Sequence, residues 1–152
     1  VIGRRSSEAQ MDCVNLLIPG DYALPPADQS IAAGSQLPTP AELLEGVRSF
    51  LKDDIATQLD SHAGFLARVA ANSLGIAQRE FLHGSALAVA ERERLEQLLG
   101  MTGGVDELRW ELVRRLRDDL PLDTPGLAQH LRQTVAGQLA LDQPGYSALQ
   151  QA

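Results

Sequence analysis

Cysteine occurs once in the 152 residues, as Cys13, so no internal disulfide can form and no cysteine-based zinc site can be assembled. A reducing, cytoplasmic setting is expected. Lysine is equally scarce, with Lys52 alone, and acid exceeds base: 13 Lys and Arg against 20 Asp and Glu leave a formal charge of −7. Nucleic-acid affinity rests on clustered basic side chains facing phosphates, so this balance argues against a nucleic-acid partner. Apolar runs such as VNLLI are far too short to span a bilayer, and VIGRRSSEAQMD has no apolar core after its arginines. Neither membrane insertion nor secretion is expected.

Catalytic motifs are missing as well. His62, His83 and His130 have no second His at i+4 and no Glu-x-x-His pattern, so no metal site is expected and each histidine reads as a helix-end or surface residue. There is no Gly-x-Ser-x-Gly elbow, and Cys13 has no neighbouring His; no catalytic residue and no cofactor is assigned. Gly103-Gly104 lacks the flanking pattern of a phosphate loop and reads as a connecting turn. Strand-like alternation and internal repeats are also absent.

What is present is helical period. Residues 4–18 carry Ala9, Met11, Val14, Leu17 and Ile18 at helical spacing and predict a short peripheral helix, stopped by Pro19-Gly20. The Pro- and Gly-rich text of 19–38 is a linker. Thr39-Pro40-Ala41-Glu42 then has the form of a capping box with Pro at the first helical position. Leu43, Leu44, Val47, Phe50, Leu51, Ile55 and Leu59 extend that helix. Asp60 or Ser61 caps the next, Ser61 to His83, which the short joint sets antiparallel.

This second helix is expected to be the most buried element, through a stripe of Phe65, Val69 and Ile76 flanked by Leu66 and Phe81. Its Ala67, Ala70, Ala71, Gly75 and Ala77 would let neighbours approach the backbone closely. Ser85 to Leu99 predicts a third helix with ERERLE as its solvated face, Val105 to about Asp119 a fourth with surface ion pairs, and Leu127, Leu131, Val135 and Leu139 the buried side of a fifth. The fold class is therefore all-α: about five helices over 39–146, preceded by the linker and by the peripheral helix of 1–18.

One polar seam stands out. Arg68, Asn72, Arg79 and Glu80 fall beside the apolar stripe of the second helix. They would line a small anion or ligand site; the reading preferred over this is that Asn72 and Glu80 bond loop backbone or the arginines and fix helix register, as buried polar groups commonly do.

The stretches PTPAELLEGVRSFL, ARVAANSLGIAQRE and LDTPGLAQHLRQTVAGQLALDQPGY together resemble an uncharacterised family of small bacterial helical proteins over roughly 37–146. Its members are encoded beside, or fused to, aminoglycoside-phosphotransferase-like kinases and acyl-CoA dehydrogenases. The resemblance implies association with acyl-CoA or small-molecule metabolism and offers no catalytic residues to carry over; together with the missing catalytic motifs it leads to the expectation of a non-catalytic accessory or docking domain associated with such an enzyme. GRRSSEAQMDCVNLL is similar to the terminal helix of those kinases, which implies that any phosphotransferase chemistry lies on other sequence. The alternative is a small-molecule binder or enzyme using the seam. The helix of 1–18, too short to be stable unaided, would either fold back on its own bundle or, as preferred for so long a linker, bury its apolar side on a partner protein or on a second copy of the chain.

Overall fold

A computed structural model of the chain describes residues 22–27 and 38–149. The peripheral helix expected over 1–18, and most of the linker, lie outside the described residues. Within them the fold is all-α, with no strand. None of these helices is long and apolar enough to cross a membrane.

The first helix, α1 (Pro40–Ser49), starts as its sequence dictates. Thr39 Oγ1 accepts the Glu42 N–H at 3.3 Å while Glu42 accepts the Thr39 N–H at 2.7 Å, a complete capping box with Pro40 at the first position. It continues through a π-helical stretch, Phe50–Ile55, into a last turn, Ala56–Gln58. Asp60 Oδ1 then accepts the N–H groups of His62 and Ala63 at 3.1 and 2.9 Å and caps α2 (Ser61–Leu99).

The helix α2 is one 39-residue element, so the second and third expected helices are fused and the count falls to four principal helices among the described residues. Gly84-Ser85 does not end it, because a mid-helix glycine costs only about 1 kcal/mol against alanine and forbids nothing. The real stop is Gly100, at φ 68°. Arg115 Nη1 donates to the Leu99 carbonyl at 3.0 Å, satisfying the last turn. Two further helices follow, α3 (Val105–Arg117) and α4 (Leu127–Asp142), with a short 3-10 turn at Ser147–Leu149.

The chain forms two compact units, and the boundary between them falls inside α2. In the first, Pro25–Ala86, α2 lies antiparallel to α1: Gly64 packs on the Ala56 carbonyl, Gly75 on the Arg48 side chain, and Gln78 Nε2 donates to the Ala41 carbonyl at 3.0 Å. A Cβ on Gly64 would sit 2.8 Å from the Ala56 oxygen. The buried side of α2 here consists of Gly64, Ala67, Ala71 and Gly75. This overturns the expectation that Ser61 to His83 buries its large residues most deeply. Phe65, Leu66 and Val69 are 54%, 51% and 44% exposed, and Phe81 is also exposed. Close backbone approach selects the smallest side chains for the contact, which turns the large ones outward.

In the second unit, from Leu87 on, the core is leucine: Leu95, Leu99, Leu108, Leu112 and Leu127, with Leu98, Met101, Val105, Leu116 and Leu120 packed around them. Tyr22 packs here too, on Ala136, with Leu139, Tyr146 and Leu149. On α4 half of the expected side holds, with Leu127 buried and Leu139 packed near Ala136, but Leu131 and Val135 are exposed while His130, Ala136, Gly137, Ala140 and Leu141 are buried. Strict i+4 spacing rotates about 40° per step around a 3.6-residue helix, so Leu127, Leu131, Val135 and Leu139 cannot share one narrow face. The ion pairs expected on α3 are present as Arg114–Glu111, Arg114–Asp118 and Arg115–Glu111.

Candidate functional site

The second unit holds a polar cluster that begins with a carboxylate in a leucine stripe. Glu91 stands one turn before Leu95 on α2 and is only 7% exposed. Burying a carboxylate requires a partner, and Arg109 of α3 supplies one bidentately, donating from Nε to Oε1 at 2.8 Å and from Nη2 to Oε2 at 2.6 Å. Arg109 also reaches Asp106 at 3.0 Å. These bonds hold the Glu91 carboxyl below the usual carboxylate range, against the opposing effect of burial, and raise the Arg109 guanidinium.

Near Glu91, α4 contributes His130, 4% exposed, and α2 contributes the half-buried Arg94. Burial, reinforced by the charge on Arg94, pushes the His130 imidazole below its ordinary value, with Glu91 pulling the other way; it is neutral at neutral pH. Arg94 approaches Thr134 Oγ1 at 3.5 Å, the edge of hydrogen bonding. Two buried nitrogens, Arg94 Nε and His130 Nδ1, have no hydrogen-bond partner. Tyr22 belongs to the same neighbourhood: burial raises its phenol, which Arg94 partly offsets, and its hydroxyl lies 3.0 Å from where a Cβ on Gly137 would stand.

Beside these groups is a cavity of about 250 Å³ lined by Arg94, Gln97, Leu98, Pro125, Gly126, Gln129, His130 and Gln133. Its charged lining is one guanidinium, without a carboxylate. Gly126 is the N-cap of α4 at φ 87°, a left-handed conformation that suits glycine, and no side chain caps the helix. The first-turn N–H groups of a helix lack intrahelical acceptors and carry the positive end of its dipole.

The seam singled out in the sequence belongs to the first unit. Arg68, Asn72 and Arg79 fall along one side of α2, within about 40° of each other at 100° per residue, whereas Glu80 is about 100° further round than Arg79. Arg68, Asn72 and Glu80 are exposed and Arg79 is half-buried. The Arg79 guanidinium lies against Gly75, where Arg48 also packs, and the Glu80 carboxyl folds over Gly84 one turn on. Thus the structure lines up three of the four and turns the fourth away.

Two histidines are also placed differently from expectation. His130 is a buried residue inside α4, and His83, expected at a helix end, lies mid-helix with Nδ1 2.8 Å from the Pro25 carbonyl, to which it donates. His62 is exposed at the start of α2, as expected. ERERLE is not simply a solvated face, since it contains buried Glu91 and Leu95. A sequence signal for Glu91 existed, because it falls on the stripe of Leu87, Leu95 and Leu98, where an acid demands a partner. Nothing local marks Arg109 as that partner.

No curated protein and no solved structure matches the chain. Residues 57–146, more than half of the sequence and spanning α2, α3 and α4, match the model of a domain of unknown function, DUF6285, and the chain belongs to that family.

Proposed function

We propose that this chain is an accessory domain that docks on a phosphotransferase-like kinase and performs no catalysis of its own. One observation carries the reading: the first unit turns Phe65, Leu66 and Val69 of α2, together with Leu43, Val47 and Phe50 of the α1 segment, toward solvent. Scattered exposed leucines are ordinary, but two helices that both present large apolar side chains outward mark a surface for a protein partner. The kinase is preferred because the opening GRRSSEAQMDCVNLL resembles the terminal helix of such kinases, while the bundle resembles domains encoded beside or fused to them. The acyl-CoA dehydrogenases that keep the same company are the second partner to try.

The test is co-expression of the chain with a kinase of this type from the same genome, followed by light scattering on the purified material. A stoichiometric complex is expected, lost in the double variant Phe65→Gln, Val69→Gln and kept in an Arg114→Gln control on α3. A chain that elutes alone, or a complex indifferent to the double variant, contradicts the proposal. A complex formed only with the dehydrogenase moves the function to that partner, and a mass of two chains without enzyme identifies self-association instead.

A further inference from the structure

We infer that the cavity between α2 and α4 in the second unit is a binding site for a small metabolite bearing an oxyanion, a carboxylate or a phosphate. This site is separate from the proposed docking surface, which belongs to the other unit. Four observations converge on it.

The cavity, about 250 Å³, lies below the roughly 300–1,000 Å³ of sites for drug-sized ligands and suits a metabolite. Its lining offers the Arg94 guanidinium and the carboxamides of Gln97, Gln129 and Gln133, with no acidic side chain to repel an anion. The start of the 16-residue α4 forms one edge at Gly126, where no side chain takes the capping role, so its N–H groups and dipole favour negative charge there. Finally, His130 lines the same cavity, is 96% buried, and leaves Nδ1 without a partner, as Arg94 leaves Nε. Buried polar nitrogens almost always find partners within a fold. Two that do not, beside a single cavity, set this corner of the unit apart, although both are shielded from solvent by the side chains around them.

The chemistry divides between the groups. Arg94 supplies the charge, with a guanidinium that pairs with the two oxygens of a carboxylate or phosphate. His130, held neutral, adds no second charge to the lining. Glu91 lies near both but is neutralised by Arg109, which lets the local field stay positive toward the cavity. The glutamines then select ligands carrying hydroxyl or amide groups beside the anion.

The experiment uses the whole chain and two probes, inorganic phosphate and succinate, titrated at constant ionic strength and followed by amide proton–nitrogen NMR. Saturable shifts are expected at the backbone amides of Gly126 to His130 and the side-chain amides of Gln129 and Gln133, with a Kd of about 1 mM or tighter for at least one probe. Whichever probe saturates names the oxyanion. Arg94→Gln should weaken binding at least about tenfold. Because Arg94 is half-buried and its loss could disturb folding, Gln129→Glu provides a second variant: the position is exposed in the first turn of α4, where an acid is compatible with the helix, yet it sets a carboxylate in the cavity. It too should abolish the shifts. Absence of saturation with both probes, sodium chloride reproducing the shifts, or Gln129→Glu binding as tightly as the parent would each overturn the inference.

Discussion

In the unit of Pro25–Ala86 the helices meet through Gly64, Ala67, Ala71 and Gly75 and leave Phe65, Leu66 and Val69 outside; from Leu87 on, the same helix α2 turns Leu95 and Leu99 into a leucine core with Leu108, Leu112 and Leu127. One helix thus follows two packing rules along its length. Where small residues make the contact, backbones come close and the large apolar groups remain available for something else. Where leucines make it, apolar surface is consumed internally, and the site that remains is polar, built around Glu91, Arg94 and His130. Under the two proposals, the first unit would receive a protein partner and the second a small ligand.

The largest effect should come from the leucine core. Leu108→Ala removes a fully buried side chain and is expected to destabilise the second unit by about 2–5 kcal/mol, read as a lower denaturant midpoint. A cost under about 1 kcal/mol would show that this core is not what holds the unit together. Next come the buried pair and the tight crossing. Glu91→Ala leaves Arg109 without its bidentate acceptor and should cost about 1–3 kcal/mol, toward the low end because Arg109 is half exposed to water. Gly64→Ala drives a methyl against the Ala56 carbonyl oxygen and should cost a similar 1–3 kcal/mol, about what overpacking costs. By contrast Gly46→Ala, in open space within α1, should stabilise by about 0.5–1 kcal/mol. The opposite signs of the two glycine variants, measured side by side by thermal unfolding, separate a packing glycine from an incidental one.

Acid should act on the second unit. His130 is held below its ordinary value when folded, so the unfolded chain takes up the proton first. Its stabilising contribution is fully present above the unfolded value of about 6.5 and is lost as pH falls through the lower folded value. Glu91, also held low, adds the same sign further down, between the ordinary carboxylate value of about 4.3 and its own. The unfolding midpoint should therefore decline between about pH 7.5 and 5, and His130→Gln should flatten that slope. A midpoint independent of pH over this range contradicts a buried neutral imidazole.

How much of this was legible in the sequence depends on how local the cause is. The capping box at Thr39, the Asp60 cap and the antiparallel pairing of α1 with α2 follow from a few adjacent residues, and all are present. The face of α2 was misjudged because hydrophobic period ranks side chains by size, whereas the crossing with α1 is decided by which residues allow close approach. Gly75 pointed to that crossing, and it does pack on Arg48. The polar cavity was invisible because Arg94 and His130 are 36 residues apart and only the packing of α2 on α4 unites them. An isolated histidine carries no sequence mark that it will be buried.

If the first half of α2 meets α1 through glycine and alanine, its large apolar residues are surplus to its own fold. Equilibrium denaturant unfolding of the double variant Phe65→Gln, Val69→Gln tests this directly. If the glycine and alanine face makes the contact with α1, the variant should unfold within about 1 kcal/mol of the parent, as surface substitutions usually do. A loss of about 3 kcal/mol or more, the cost of emptying a core, would mean that Phe65 and Val69 are buried in the folded protein and that no apolar surface remains there for a partner.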